Sequence, residues 1–271
     1  IRDVEEYAAE QTGQAKEPEN LAWFIGYLKS LREPMGRVRI DLGEPVVVRR
    51  APNPDDRQAL ARIAFDASVS ANRATPLTVT AVMCMVLLGT APRGATAGEL
   101  ARVTDLMVDW ARARGIRMTE ELAARDRAAL RATADTLVNS GLILRDDAGR
   151  DTVYTIDPAK HPMASYYRNT IIHHFLDKTL IELALFRLAE DVPADANLAF
   201  WAEIDALRDL FKFEFFYPAR EVFRAGIEAE LERISGQWSA QLRDGAAGVK
   251  ALIGQLQPLL GHAALLPFVE A

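Results

Sequence analysis

Residues 161–189 read HPMASYYRNTIIHHFLDKTLIELALFRLA, and this stretch decides how we interpret the rest of the chain. Its apolar side chains recur every three or four residues with polar side chains between them, which is the pattern of a helix buried on one side. The apolar positions are Tyr166, Ile172, Phe175, Leu176, Leu180, Leu183 and Phe186. The stretch therefore predicts one long, half-buried helix that begins near Pro162, because proline suits a first helical turn.

A polar cluster marks the opening of that helix, where Tyr167, Arg168 and Asn169 follow one another. Arginine offers five hydrogen-bond donors in a fixed planar fork, which suits a packed polar corner. We expect the cluster to tie the helix to the loop that begins at Asn72 and Arg73. The alternative is an anion or phosphate subsite at a helix start, for which the same five residues are the candidate binding residues.

The composition is that of a folded, acidic protein: 271 residues, 49% apolar and 26% charged, with a net charge of −6. Such a chain can form one large domain or two ordinary ones, and it is neither disordered nor fibrous. No long basic run appears, so we expect no nucleic-acid partner. The longest apolar run is far shorter than the roughly 18 residues of a membrane-spanning helix, so we expect no span.

The single cysteine, Cys84, lies within the apolar run 81–88, where we expect a buried hydrophobic residue rather than a reactive thiol. One cysteine excludes an intramolecular disulfide and suits a reducing compartment. The first residue is Ile1 rather than methionine, and no signal peptide precedes the first helical pattern. We therefore expect the sequence to be a piece of a longer protein.

The first 50 residues change from a helical to a strand pattern. Residues 1–33 predict two helices, and residues 36–42 alternate between apolar and polar side chains, as in a strand with one buried face. A Gly-Glu-Pro turn and a short valine run follow. Several prolines then indicate a domain boundary, which divides the chain into 1–51 and 52–271.

Residues 52–157 predict a series of helices followed by a hairpin. The helices span about 55–71, 79–88, 96–114 and 119–140, with a loop at 72–76 and glycine ends at Gly89, Gly115 and Gly141. Thr96 and Glu99 fit a capping box at a helix start. Turn residues between 142–144 and 153–156 indicate the hairpin. Three helices and a hairpin, over about 76–157, are the order of a winged helix.

A winged helix can read DNA or serve as a packing module, and the charge of the helix before the hairpin separates the two functions. A DNA reader offers basic and polar residues there. Here Arg125, Arg127 and Arg131 are mixed with carboxylates such as Asp126 and Asp135. We therefore interpret the unit as a packing module.

The C-terminal part, 161–271, predicts a helical bundle. After a loop at 191–196, a helix from about 198 is followed by helices at about 219–243 and 246–260. The aromatic run 213–218 is interpreted as core, with contact to a membrane surface as the alternative. The predicted fold class is mainly α with a small β component (α+β).

Candidate catalytic groups are few. His173 and Asp177 are four residues apart and share a helix face, which permits a hydrogen-bonded pair. A serine or cysteine nucleophile and a third metal ligand are missing from their surroundings in sequence, so we interpret the pair as a polar helix face. No phosphate loop, zinc pattern or nucleotide fingerprint occurs, and we expect no catalytic residue, metal or cofactor.

Four stretches, in order, resemble bacterial glycerol-3-phosphate acyltransferases and their dihydroxyacetone-phosphate relatives. They are GRVRIDLGEP at 36–45, NRATP at 72–76 with the helix after it, YYRN at 166–169 with its helix, and the aromatic run at 213–218. The resembling region lies C-terminal to that family's catalytic motifs. Its His-x4-Asp pair, its Arg-bearing substrate motif and its Pro-Glu-Gly-x-Arg segment have no counterpart here.

The resemblance implies the end of an α/β acyltransferase domain in residues 1–51, with a closing strand, and a helical C-terminal domain that supports it. It also implies partners: the N-terminal catalytic region, acyl-CoA or acyl carrier protein, and glycerol 3-phosphate. The intact enzyme is then peripheral at the cytoplasmic face of the membrane, and this piece alone is soluble and inactive. The alternative from the residues alone is a noncatalytic helical interaction module.

Overall fold

The computed structural model describes residues 39–191 and 193–256 as a mainly α-helical protein with one three-stranded antiparallel sheet. This architecture confirms the predicted class. The helices expected within residues 1–33 lie outside the described residues. The domain boundary near residue 52 stays a prediction.

The first half of the described chain combines helices with the small sheet. Its elements are α1 (Arg57–Ala74), α2 (Val79–Thr90), β1 (Ala95–Thr96), α3 (Ala97–Ala113), α4 (Glu120–Ala123), α5 (Arg127–Asn139), β2 (Ile143–Asp146) and β3 (Val153–Ile156). The strands pair in the order β1-β3-β2, with Leu144 opposite Thr155. Helices followed by a hairpin are present as predicted, and the strand β1, which was not predicted, pairs with β3. The winged-helix-like unit over about 76–157 stays a prediction.

Local sequence signals explain the start of α3. The Thr96 hydroxyl accepts from the N–H of Glu99, and the Glu99 carboxylate accepts from the N–H of Thr96, so the predicted capping box is confirmed. The helix ends before Gly115, which has a φ of +65° that favours glycine.

Helix α2 lies at the centre of the first core. Residues 81–88 are all buried, including the free Cys84, and the helix packs against α3 and α5. The prediction of a buried helix is confirmed. Its end differs from the prediction, because α2 continues past Gly89 to Thr90.

The predicted helix 119–140 is wrong, because two helices, α4 and α5, occupy that range. Arg125 has a positive φ of 55°, which interrupts the helical backbone. The Asp126 side chain then accepts from the N–H groups of Ala128 and Ala129 and starts α5 as its N-cap.

The stretch 161–189 is also not one helix. It forms α6 (His161–Asn169), a 3₁₀ turn (Ile172–Phe175) and α7 (Leu176–Glu190). The break lets Phe175 join the first core while Leu176 begins the second. The stretch therefore contributes residues to both hydrophobic cores.

The second core surrounds α7. Helices α8 (Ala196–Leu210), α9 (Arg220–Ile234) and α11 (Ala246–Gln255) pack on it, and α10 (Trp238–Arg243) connects them. Helix α7 is buried on nearly all sides over residues 176–185, contrary to the half-buried prediction, whereas its last turn is mostly exposed. Inside the bundle Lys178 and Glu182 form an ion pair, which compensates for the burial of both charges. The predicted helix 219–243 is interrupted at 235–237 and becomes α9 and α10.

The aromatic run 213–218 is core only in part. Tyr217 is buried, whereas Phe213 is 88% exposed and Phe216 is 47% exposed. The segment forms turns rather than a helix or strand, so its side chains point in several directions. The core interpretation is wrong for Phe213.

The predicted strand at 36–42 is absent from its described part, since residues 39–48 form no regular structure. Side chains hold this segment instead: the Ser70 hydroxyl donates to the Glu44 carbonyl at 2.6 Å, and Arg117 Nη1 donates to the Leu42 carbonyl at 2.8 Å. Ile40 and Leu42 are 82% and 80% exposed. A strand needs a neighbouring strand for its backbone groups, and the described part of the chain supplies none to this segment.

Within residues 39–191 and 193–256, no helix combines the length and the apolar character needed to span a membrane.

Candidate functional site

A cleft of about 600 Å³ lies where the end of α1, the corner between α6 and α7, and the aromatic segment 211–216 meet. Its polar side includes Asn72, Thr75, Arg168, Asn169 and His173, and its apolar side includes Ile172, Phe211, Phe215 and Phe216. A volume of this size is within the range of roughly 300–1,000 Å³ for small-molecule sites. The cleft is therefore our candidate functional site.

Two histidines join the corner to the end of α1. His173 Nε2 lies 2.7 Å from the Asn72 carbonyl oxygen, and His174 Nε2 lies 2.8 Å from the Thr75 carbonyl oxygen. A carbonyl oxygen only accepts, so each Nε2 carries the proton and donates it. These bonds satisfy carbonyls at a helix end, where intrahelical partners run out.

Both imidazoles favour the neutral form. Burial lowers the pKa of His173 to about 4, and His174 lowers it further, while the hydrogen bond to Asn72 opposes the shift. Burial also lowers the pKa of His174, against the hydrogen bond to Thr75. With Nε2 already donating to a carbonyl, neither ring can take a proton on that atom.

Arg168 is the buried cation of the corner, with 5% of its surface exposed. Its Nε and Nη2 both donate to Asn169 Oδ1 at 3.2 Å, which fixes the plane of the guanidinium. Arg168 and Asn169 line the same cleft as Asn72, and His173 and His174 also donate to the end of α1. A direct bond from the cluster to the loop at Asn72 stays a prediction.

The five candidate binding residues are not all in one site. Asn72, Arg168 and Asn169 line the cleft. Arg73 lines a different groove, beside Gly43 and Glu44. Tyr167 packs against the first core. Binding by these residues stays a prediction, and the geometry favours the first three.

His173 and Asp177 face different helices. The histidine bonds to the end of α1, whereas a Cβ atom added at Gly226 of α9 would lie 3.2 Å from Asp177 Oδ2. Burial raises the pKa of Asp177 to about 6, Glu230 raises it further, and Arg73 opposes the shift. Among the described residues, the pair that the sequence offered as a catalytic dyad shares no hydrogen bond, and each side chain has a different neighbour.

The cleft contains hydroxyls that are already engaged. Thr75 Oγ1 donates to the Ala71 carbonyl, and Thr170 Oγ1 donates to the Tyr167 carbonyl. Across the described ranges, no cluster of three histidine, cysteine or acidic residues could hold a metal ion. Phe211, Phe215 and Phe216 form an aromatic wall of the cleft. The arrangement is suited to holding a polar group against this wall rather than to acid–base or nucleophilic catalysis.

Sequence reasoning missed the aromatic wall and the histidine bonds. The wall had a signal, the aromatic run itself, and Phe216 is placed by an edge-to-face contact with Phe65 of α1 at 5.3 Å between ring centroids. The histidine bonds had none, because they join residues about a hundred positions apart in the chain.

Two hydrophobic cores, one shared by helices and a three-stranded sheet and one formed by helices alone, define a mainly α-helical module. A comparison with known protein families identifies the family to which this module belongs. Residues 7–271 match the family model described as the C-terminal region of glycerol-3-phosphate acyltransferase, and the chain belongs to that family. The resemblance in the sequence is thereby confirmed.

Mycobacterial proteins are among its relatives. A protein of Mycobacterium bovis named "Putative acyltransferase plsB1" is 32% identical over 283 residues, covering 100% of this chain. Proteins of the same name from two strains of Mycobacterium tuberculosis give the same identity and coverage. The chain spans 45% of the length of each relative, less than half.

Proposed function

We propose that the intact protein transfers an acyl group from acyl-CoA or acyl carrier protein to the 1-hydroxyl of glycerol 3-phosphate, and that this chain supports the reaction without supplying its catalytic groups. The observation that carries the proposal is the match of residues 7–271 to the C-terminal region of this enzyme family. General base catalysis needs a titratable group that is free to take a proton from the attacking hydroxyl. His173 is a weak base, because burial lowers its pKa to about 4 and its Nε2 donates to the Asn72 carbonyl. The proposal therefore places the His-x4-Asp pair and the phosphate-binding cations in the catalytic region outside this chain.

The segment 39–48 supports packing against that catalytic region. Ile40, Leu42 and Val47 are 82%, 80% and 74% exposed, which is a large apolar exposure for ten residues. Ile40 and Leu42 alternate with Arg39 and Asp41, which suits a strand added at the edge of a sheet. In the proposed enzyme this segment completes the sheet of the catalytic domain.

The proposed location is the cytoplasmic face of the membrane, as a peripheral protein. Phe213 and Leu210 are 88% and 63% exposed and follow each other closely in the chain. The Lys212 ammonium lies 5.3 Å from the centroid of the Phe213 ring. An exposed aromatic ring beside a cationic side chain suits contact with a membrane surface.

Charged substitutions in the segment 39–48 test whether this segment packs against the catalytic region. In the longer protein, Ile40→Asp with Leu42→Asp should lower acyl transfer to glycerol 3-phosphate by about tenfold or more, because burying an unpaired charge in an interface costs several kcal/mol. Leu198→Asp is the matched control, since Leu198 is 68% exposed on α8. Equal activity of the two variants would argue against packing through this segment.

A further inference from the structure

The segment 39–48 is attached to the helical part of the chain along one of its two edges. Arg117 Nη1 donates to the Leu42 carbonyl at 2.8 Å, and the Ser70 hydroxyl donates to the Glu44 carbonyl at 2.6 Å. The two carbonyls are two residues apart, which is the spacing at which backbone groups of an extended chain point to the same side. Side chains from α1 and from the loop after α3 therefore occupy one edge of the segment.

Gly43, between the two bound carbonyls, brings the segment into direct contact with α1. A Cβ atom at this position would lie 2.4 Å from Ser70 Oγ and 2.7 Å from the Ser70 carbonyl oxygen. The carbonyl oxygen belongs to the backbone of the helix and cannot move away without disturbing α1. Glycine permits this close approach because it has no side chain. The distance between the segment and α1 is therefore set by their backbones.

The second attachment point, Arg117, is held by backbone hydrogen bonds of its own. The Leu77 N–H donates to the Arg117 carbonyl at 2.9 Å, and the Thr119 N–H donates to the Leu77 carbonyl at 3.0 Å. These bonds form a parallel bridge between Leu77, which is fully buried, and Met118. Ser70 and Arg117 thus hold the segment from two elements that are themselves fixed.

The side chains of the segment indicate that a partner covers one of its faces. Ile40 and Leu42 are 82% and 80% exposed. Arg39 and Asp41, which alternate with them, form an ion pair with 2.6 Å between Nε and Oδ2. A polar face and an apolar face thus alternate along the segment, as in a strand whose apolar face packs on a core.

We propose that the segment 39–48 is the outermost strand of the sheet of the catalytic region. It pairs with that sheet through the edge that carries the backbone groups of Asp41 and Gly43. Ser70 and Arg117 are positioning residues that close the opposite edge, so the sheet ends at this strand. Closing an edge in this way also prevents further strands from adding to it.

The inference rests on the proposed function, because its partner is a strand of the catalytic region. The chain matches the C-terminal region of the family and spans 45% of the length of each relative, so most of the enzyme lies outside it. The inference goes further than packing, because it states which edge of the segment forms the hydrogen bonds and which residues of this chain determine that choice.

Hydrogen exchange measured by mass spectrometry tests the pairing without relying on activity. Amide protons that bond to a neighbouring strand exchange slowly, because the strand must open first. Peptides covering residues 39–48 should exchange about tenfold or more slowly in the longer form of the protein than in the 271-residue chain. Protection without acyl transfer would support the strand pairing and contradict the proposed function, and acyl transfer without protection would do the reverse.

Two substitutions at Asp41 test the proposed edge in the longer form. Asp41→Pro removes the N–H that points to the catalytic sheet, whereas Asp41→Ala retains it and removes the same carboxylate. Exchange of the remaining amides of the segment should become about tenfold or more faster in Asp41→Pro and should change little in Asp41→Ala.

A pair of serine variants tests the closed edge. Ser70→Ala releases the Glu44 carbonyl and should make exchange of the segment in the longer form about fivefold faster, as expected for the loss of one hydrogen bond. Ser68→Ala is the matched control on the same helix, because Ser68 Oγ donates to the Ala64 carbonyl within α1. This control should leave the segment unchanged.

Three results would overturn the proposal. Equal protection of the segment in the longer form and in the 271-residue chain would place its partner within this chain. Protection of the 271-residue chain that increases with protein concentration would make the partner a second copy. Equal exchange in Asp41→Pro and Asp41→Ala would mean that the segment does not pair through the edge of Asp41 and Gly43.

Discussion

His173 and Asp177, one helical turn apart, carry opposite pH dependences. The pKa of Asp177 is raised to about 6, so its favourable protonated state is lost, and with it stability, as pH rises from about 4 to 6. The pKa of His173 is lowered to about 4, so stability is complete above its unfolded value of 6.5 and is lost as pH falls from there to about 4. The two windows overlap, and the opposing effects partly cancel in the intact chain.

Asp177→Asn should separate these effects. At pH 7 the variant should be more stable than the unchanged chain by on the order of 2–3 kcal/mol, because the cost of a buried, ionised carboxylate disappears. The difference should shrink as pH falls and close only below 3.8, the ordinary pKa of the carboxyl, where Asp177 is protonated in both the folded and the unfolded chain. Urea unfolding between about pH 3 and 7.5 measures it, with the exposed Asp191→Asn as control. A less stable Asp177→Asn variant at pH 7 would contradict the account.

A second prediction concerns the protonation state and the tautomer of His173. Its ring should remain neutral, with the proton on Nε2, down to about pH 4.5, because burial disfavours the imidazolium and the Asn72 carbonyl requires a donor. Nitrogen-15 NMR shifts of the imidazole report both properties. A titration midpoint near 6.5 would show that the ring is not held as described.

At the scale of elements, Asp126 should determine where α5 begins. Asp126→Ala should cost about 1 kcal/mol of unfolding free energy, within the 0.5–2 kcal/mol typical of lost N-caps. Asp126→Asn retains an oxygen acceptor and should cost much less. Thermal or urea unfolding of the two variants makes the comparison, and equal losses would mean that the side-chain cap does not matter here.

The elements that could be predicted from the sequence are those whose stabilising contacts join residues close together in the chain. The capping box joins residues three apart, and the hairpin follows from alternation around a turn. The break between α6 and α7 could not be predicted, because it results from Phe175 entering one core and Leu176 the other. Asn72, Arg168 and Asn169 were expected to be neighbours, and they line one cleft. The aromatic run was visible in the sequence, but its position beside that cleft was not, because this position depends on contacts between distant parts of the chain.

At the scale of the molecule, an ion pair connects the two cores. Arg114, at the end of α3, donates from Nε to Glu230 Oε2 of α9 at 3.0 Å. Its guanidinium also lies 4.3 Å from the centroid of the Trp110 ring, which stacks on Phe175. Both charged side chains are largely buried, so the pair joins the winged-helix-like half to the bundle.

Arg114→Ala should therefore destabilise the whole chain by about 3–5 kcal/mol, because it leaves Glu230 buried without this partner. Replacing both residues by leucine should recover much of that loss, since no buried charge is then left unpaired. Arg233, the other partner of Glu230, is half exposed and remains hydrated. Unfolding free energies of the single and double variants test the coupling. A double variant as unstable as Arg114→Ala would mean that packing, not charge, is responsible.

The central claim is that this chain supports an acyltransferase without containing its catalytic groups, and acyl transfer activity tests it most directly. The purified 271-residue chain is incubated with glycerol 3-phosphate and labelled palmitoyl-CoA, beside a longer form of the protein that includes the expected His-x4-Asp region. We predict turnover by the longer form and none by the 271-residue chain, because His173 and Asp177 face different helices and form no catalytic pair. Turnover by the 271-residue chain that disappears in His173→Ala would contradict the account, and turnover by neither form would favour a noncatalytic interaction module.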